Sequence, residues 1–222
     1  MRHAHCSMHF SWKEERMGKK TFVKEYIEPI VIAILIALFI RAFIVQAFKI
    51  PSSSMEPTLL VGDHILVNKF IHGIRIPFTD TKLLEFKKPK RGEIVVFIYP
   101  KDRSKDFIKR VIGTEGEKVE IIRNKIYIND KLINDPWGYY DEKSEWTRYR
   151  QPAEKFGPVV VPKDSLFVLG DNRENSQDSR FWGFVNVNAV KGNAFIIYFS
   201  LDWHAQNLLD KIRWIRLGKL ID

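Results

Sequence analysis

From Ile30 to Ile40 the chain reads Ile-Val-Ile-Ala-Ile-Leu-Ile-Ala-Leu-Phe-Ile, without one charged or polar side chain. Such a run has two places to go, the inside of a core or the inside of a bilayer. With its flanks the candidate span runs from Ile27 to Phe48; Ala42 to Phe48 is mostly apolar as well, with Arg41 and Gln46 interrupting. That is the roughly 20 residues a membrane-spanning helix needs, and an arginine near one end can snorkel to the headgroups. A buried core helix and the apolar part of a cleaved leader are the alternatives. No small-x-small site follows the segment, which counts against cleavage. Lys13, Arg16, Lys19, Lys20 and Lys24 precede it, whereas Lys49 stands nearly alone after it. The asymmetry predicts a cytoplasmic tail over residues 1–26, a single-pass anchor over 27–48 and an extracytoplasmic remainder.

The chain of 222 residues is 45% hydrophobic with a net charge of +9. That is enough for a core, and the charge favours an acidic partner, either nucleic acid or anionic lipid. The bases gather beside the apolar segment and no nucleic-acid recognition motif is present, so a phospholipid membrane is the expected partner and nucleic acid is not. The single cysteine, Cys6, excludes an intrachain disulfide. It lies among His3, His5 and His9, but a metal site there would lack a scaffold.

After Pro51 short β-like runs separated by turns predominate. They are His64–Phe70, Glu93–Tyr99, Phe107–Ile112, Ser165–Leu169 and Ala189–Phe199, with a hairpin from Lys118–Arg123 and Lys125–Asn129 across Arg123-Asn124. Residues 134–158 are aromatic, charged and poorly periodic, and read as part of an insertion beginning near Val119. Lys211 to Leu220 mixes bases with apolar residues and Trp214, which suits either headgroups or packing on its own domain.

Three stretches carry chemistry. Ser52-Ser53-Ser54 is bracketed by Pro51 and Pro57, a rigid turn suited to a nucleophile and an oxyanion site, and composition does not choose among the three serines. A serine hydroxyl needs a partner to take its proton. His64, His72 and His204 lack any triad context. Lys109 sits in a strand-like segment whose alternation puts it on the face of Phe107 and Val111, with Arg110 opposite. Burial there would lower its pKa and let a neutral amine act as base. The third stretch, Gly170 to Gly183, is densely polar; it can supply a hydroxyl to orient the amine, with Asp178 and Arg180 as an ion pair.

These motifs resemble the bacterial type I signal peptidase family, the serine–lysine leader peptidases. The resemblance rests on Pro51 to Leu59, Gly62 to Lys69, Lys109 to Gly116 and Gly170 to Arg180, in family order directly after the apolar segment. It implies a mostly β fold: an antiparallel β-sheet catalytic core over 49–118 and 158–222, and a small inserted β subdomain over 119–157. It implies Ser54 as nucleophile, Lys109 as general base, Ser52 and the Ser54 backbone N–H as oxyanion donors, and Ser176 as orienter of the lysine. Asp178 and Arg180 correspond to the supporting ion pair. Phe48, Ile50, Met55, Leu59, Ile65, Phe107 and Ile108 correspond to the pocket for small side chains. The implied activity is removal of signal peptides from preproteins after Ala-x-Ala at the bacterial cytoplasmic membrane, with neither metal nor cofactor. A catalytically inactive binding or assembly protein of the same fold is the alternative.

Overall fold

The computed structural model describes residues 23–75, 82–84, 86–140, 155–203, 205–207 and 210–221. Cys6 and its histidines, and His204, lie outside them. The chain divides into two units at Ala42/Phe43. In the first, a π-helical turn at Val23–Ile27 leads into helix α1, Glu28–Phe43. Lys24–Phe43 contains an 18-residue stretch with a mean hydropathy of 2.2, none of it buried, so the helix is long and apolar enough to cross a membrane.

The helix stops before the apolar run does. Val45–Lys49 is strand β1, paired antiparallel with β2 (Asp63–Asn68) from Val45↔Asn68 to Lys49↔His64. The 27–48 boundary read from the sequence therefore runs past the helix end. Hydropathy alone cannot separate the last turn of a span from an apolar strand that follows it.

The remaining strands are β3 (Ile74–Arg75), β4 (Lys82–Leu84), β5 (Ile94–Ile98), β6 (Asp106–Gly113), β7 (Lys118–Ile122), β8 (Lys125–Ile128) and β9 (Lys131–Leu132). After them come β10 (Lys155–Val160), β11 (Ser165–Leu169), β12 (Val185–Asn186), β13 (Val190–Ser200) and β14 (Lys219–Leu220). The main sheet has the order β1-β2-β13-β5-β6-β11-β12, with β14 also on β13, and its pairings are antiparallel. A second sheet, β10-β7-β8-β9, is joined by two-residue turns with positive φ at Arg123, Asn124, Asn129 and Asp130. Positive φ at both central residues matches the right-handed twist of flanking strands, which is why asparagine and aspartate occupy three of the four positions. The fold is mostly antiparallel β, as the sequence predicts. Among the described residues the one α-helix outside α1 is the short α2, Ser179–Trp182.

β5 reads Ile-Val-Val-Phe-Ile because both its faces are covered. Ile94 and Val96 pack with Ile50, Met55, Leu59 and Ile65, while Val95 and Phe97 pack with Val111, Leu166 and Val168. A third cluster joins the sheets: Ile112, Phe167 and Leu169 from one, Val119, Ile126 and Ile128 from the other. The C-terminal segment packs on its own domain through Arg216, buried on Asp63 with Ser200 at 2.6 Å from the same carboxylate.

One irregularity positions the site. β11 pairs with β6 only from Arg110 to Gly113, whereas β5 follows β6 from Asp106 onward. Among the described residues no strand covers the other edge of Asp106–Lys109.

Candidate active site

The serine turn is pinned from below. Ser53–Met55 forms a single 3-10 turn after an extended Ser52. Met55 and Leu59 are fully buried in the core beneath, and the Leu59 N–H donates to the Met55 carbonyl at 2.9 Å. Ser54 is thereby held at the open edge of β6, where alternation brings Lys109 out towards it. Lys109 Nζ lies 2.7 Å from Ser54 Oγ and donates to the Ile108 carbonyl at 2.9 Å. The lysine is 4% exposed. Burial pushes its amine down from 10.5 to about 8, with Arg180 pushing the same way and Asp178 and Asp171 opposing.

Ser52 is exposed and its Oγ is 3.5 Å from Ser54 Oγ. Ser176 lies on the cavity wall, but among the described residues its buried Oγ has no hydrogen-bond partner, so the contact to the lysine amine that the resemblance implies is not made here. Besides Ser54, Nζ donates to the Ile108 carbonyl. Asp178, fully buried, pairs with Arg180 at 2.8 Å and accepts from the Gly170 N–H at 3.1 Å. Gly170 in turn lies against the site: a Cβ there would fall 2.3 Å from Ser176 Oγ and 2.4 Å from the Ser54 carbonyl oxygen. Gly170→Ala is therefore expected to displace Ser54 and lower kcat by about 100-fold. Steady-state kinetics of the purified variant checks this.

The structure adds residues that the sequence did not single out. Asn172 donates to the Ser53 carbonyl through Nδ2 and to the Ser54 carbonyl through its backbone N–H, both at 3.2 Å. Asn175 Nδ2 donates to Ser53 Oγ at 2.7 Å. Arg110, on the face opposite Lys109, makes a two-pronged pair with Asp171 at 2.8 Å in which both side chains are fully buried, and Thr58 Oγ1 donates to the same carboxylate at 2.6 Å. A strand that turns its lysine outward sends the neighbouring arginine into the core, where only a carboxylate can hold it. That logic points to an acidic partner for Arg110 but not to which one.

A cavity of about 700 Å³ opens over the Ser54–Lys109 pair. Phe107 and Ile108 line it. Ile50, Met55, Leu59 and Ile65, each 2% exposed or less, lie in the core cluster with Phe48 packed on it, so they support the wall without forming it. Ile121, Tyr140, Phe156 and Phe181 also line it, together with polar and charged side chains that include Arg173, Glu174, Gln177 and Arg180. His64 meets the Tyr198 ring edge-on and the Phe199 ring at a tilt, and buried His72 holds Asn193; neither lines the cavity.

Residues 23–199 match the family described as "Signal peptidase, peptidase S26". The chain is similar to "Signal peptidase I" of Pseudomonas aeruginosa, 37% identical over 92% of this chain and 81% of that one. It is also similar to "Signal peptidase I" of Aquifex aeolicus, 35% identical over 80% of this chain and 85% of that one. "Probable signal peptidase I-2" of Synechocystis is 36% identical over 86% and 79%.

Proposed function

The chain belongs to the signal peptidase family S26, and we propose that it cuts preproteins after a small-x-small sequence with Ser54 as nucleophile and neutral Lys109 as general base. The observation that carries this reading is the 2.7 Å approach of a buried lysine amine to a serine hydroxyl. Neutral Nζ takes the Ser54 proton as Oγ attacks the carbonyl of the last signal-peptide residue. The oxyanion is met by the Ser52 hydroxyl and the Ser54 N–H. The Lys109 ammonium gives its proton to the departing amine of the mature chain, and a water activated by the again neutral Lys109 then hydrolyses the acyl-enzyme. The substrate backbone, extended, adds to the open edge of β6 at Asp106–Lys109. Its small side chains rest against Phe107 and Ile108. Helix α1 anchors the site at the membrane, with the N-terminus in the cytoplasm.

Wild-type protein in detergent, given a preprotein with an Ala-x-Ala site, is expected to release the mature chain, and Ser54→Ala and Lys109→Ala are not. Wild-type cleavage that survives in either variant removes that residue from the dyad. The pH profile is a second test. A base whose folded pKa is about 8 is mostly protonated at pH 6, so kcat/KM should rise about tenfold per pH unit there and level off above about 8. An acid optimum contradicts Lys109 as base.

A further inference from the structure

We infer that the cavity continues past the dyad into a subsite for the side chain of the second residue of the mature chain, walled by Ile121, Phe156 and Phe181; this rests on the function proposed above. A volume of about 700 Å³ is that of a pocket holding a whole drug-sized ligand. Two alanine-sized side chains leave most of it empty. The lining is drawn from separate elements: Phe107 and Ile108 of the main sheet, Ile121 of β7 and Phe156 of β10 from the second sheet, and Phe181 of α2, with Arg173, Glu174 and Arg180 among its charged members. Phe181 is 50% exposed and Phe156 is only partly buried, so apolar surface faces solvent inside a cavity continuous with the catalytic groups. Tyr140 is fixed by its hydroxyl, which donates to the Asn124 carbonyl at 2.8 Å.

Alternation selects the occupant. In an extended substrate the first and third side chains before the cut share one face, the face that meets the small-side-chain pocket. The next side chain on that face belongs to the second residue after the cut, about 6.6 Å beyond the first before it. The first mature residue points the other way. An apolar or aromatic side chain at the second mature position suits a wall of isoleucine and phenylalanine carried on two paired strands and a short helix.

The experiment uses the full chain in detergent and one preprotein in which mature positions one, two and three are each varied among Ser, Ala, Leu and Phe. At position two, Leu or Phe is expected to raise kcat/KM about tenfold over Ser, the discrimination one apolar side chain supports. No such preference is expected at position one. Phe181→Ser and Ile121→Ser should each flatten the position-two ratio to below about threefold. Phe181 is half exposed and outside the core clusters, so its variant reads the subsite free of misfolding. Efficient cleavage with a flat profile, a preference at another position, or a position-two preference that survives both variants overturns the subsite and leaves the function standing. No cleavage of any substrate removes both.

Discussion

Lys109→Arg is expected to lower kcat on an Ala-x-Ala preprotein by about 10⁴-fold, the full contribution of a positioned general base. Arginine has the reach and the charge of lysine but cannot lose its proton in a protein, so the Ser54 hydroxyl would face a permanent cation. A burst-free, near-zero rate in the folded variant is the predicted result; retained turnover would mean that Lys109 serves only as a charge. Lys109→Met sharpens the test through stability. The folded pKa, about 8, lies below the usual 10.5. The stability of this group is thus fully present above pH 10.5 and is lost as pH falls through about 8. At pH 7 the native state then carries a penalty of about 3 kcal/mol for a buried ammonium. Lys109→Met removes that penalty, so it should be more stable than wild type at pH 7 and no more stable near pH 11. Urea unfolding at the two pH values measures the difference. A catalytically dead variant that is hardier at neutral pH separates loss of the base from loss of the fold.

Asp171→Ala is expected to destabilise the domain by about 3–5 kcal/mol, or to lower Tm by roughly 10 °C. The substitution leaves the Arg110 guanidinium fully buried without its carboxylate, with the Gly92 carbonyl and the Trp137 ring at 4.5 Å among the groups still around it. It also strands the Thr58 hydroxyl. Activity should fall with stability, because Asp171 stands between Gly170, which abuts Ser54, and Asn172, which binds the Ser53 and Ser54 carbonyls. Pairing Arg110→Met with Asp171→Leu should recover most of the lost stability, since a well-packed apolar pair replaces an ion pair of similar volume. Recovery of stability without activity would assign the pair a role in holding the serine turn.

Much of this was legible in the chain because it depends on local periodicity. Ser165–Leu169 is a strand at the bounds read from its apolar run, and the Arg123-Asn124 turn falls where the hairpin signal put it. Lys109 could be read because strand alternation and an apolar neighbourhood are both local. β1 was hidden, since its Val-Gln-Ala-Phe-Lys follows an apolar helix with no proline or glycine to mark the change. The Asn172 and Asn175 contacts to the serine turn span more than a hundred residues, and side chains with several possible partners give no sequence signal for the one they choose. The cavity wall divides on the same principle. Phe107 and Ile108 flank the lysine in sequence, whereas Ile121 and Phe156 reach the site only because a second sheet packs beside the first.

The place of β13 sets when this protein can act. It is the last long strand to be synthesised, yet it lies in the middle of the main sheet and separates β1-β2 from β5-β6. Until Val190–Ser200 is inserted, the strand leading to the serine and the strand bearing the lysine have no shared sheet. On the proposed mechanism, a nascent chain that has already delivered Ser54 and Lys109 is silent until β13 is in place.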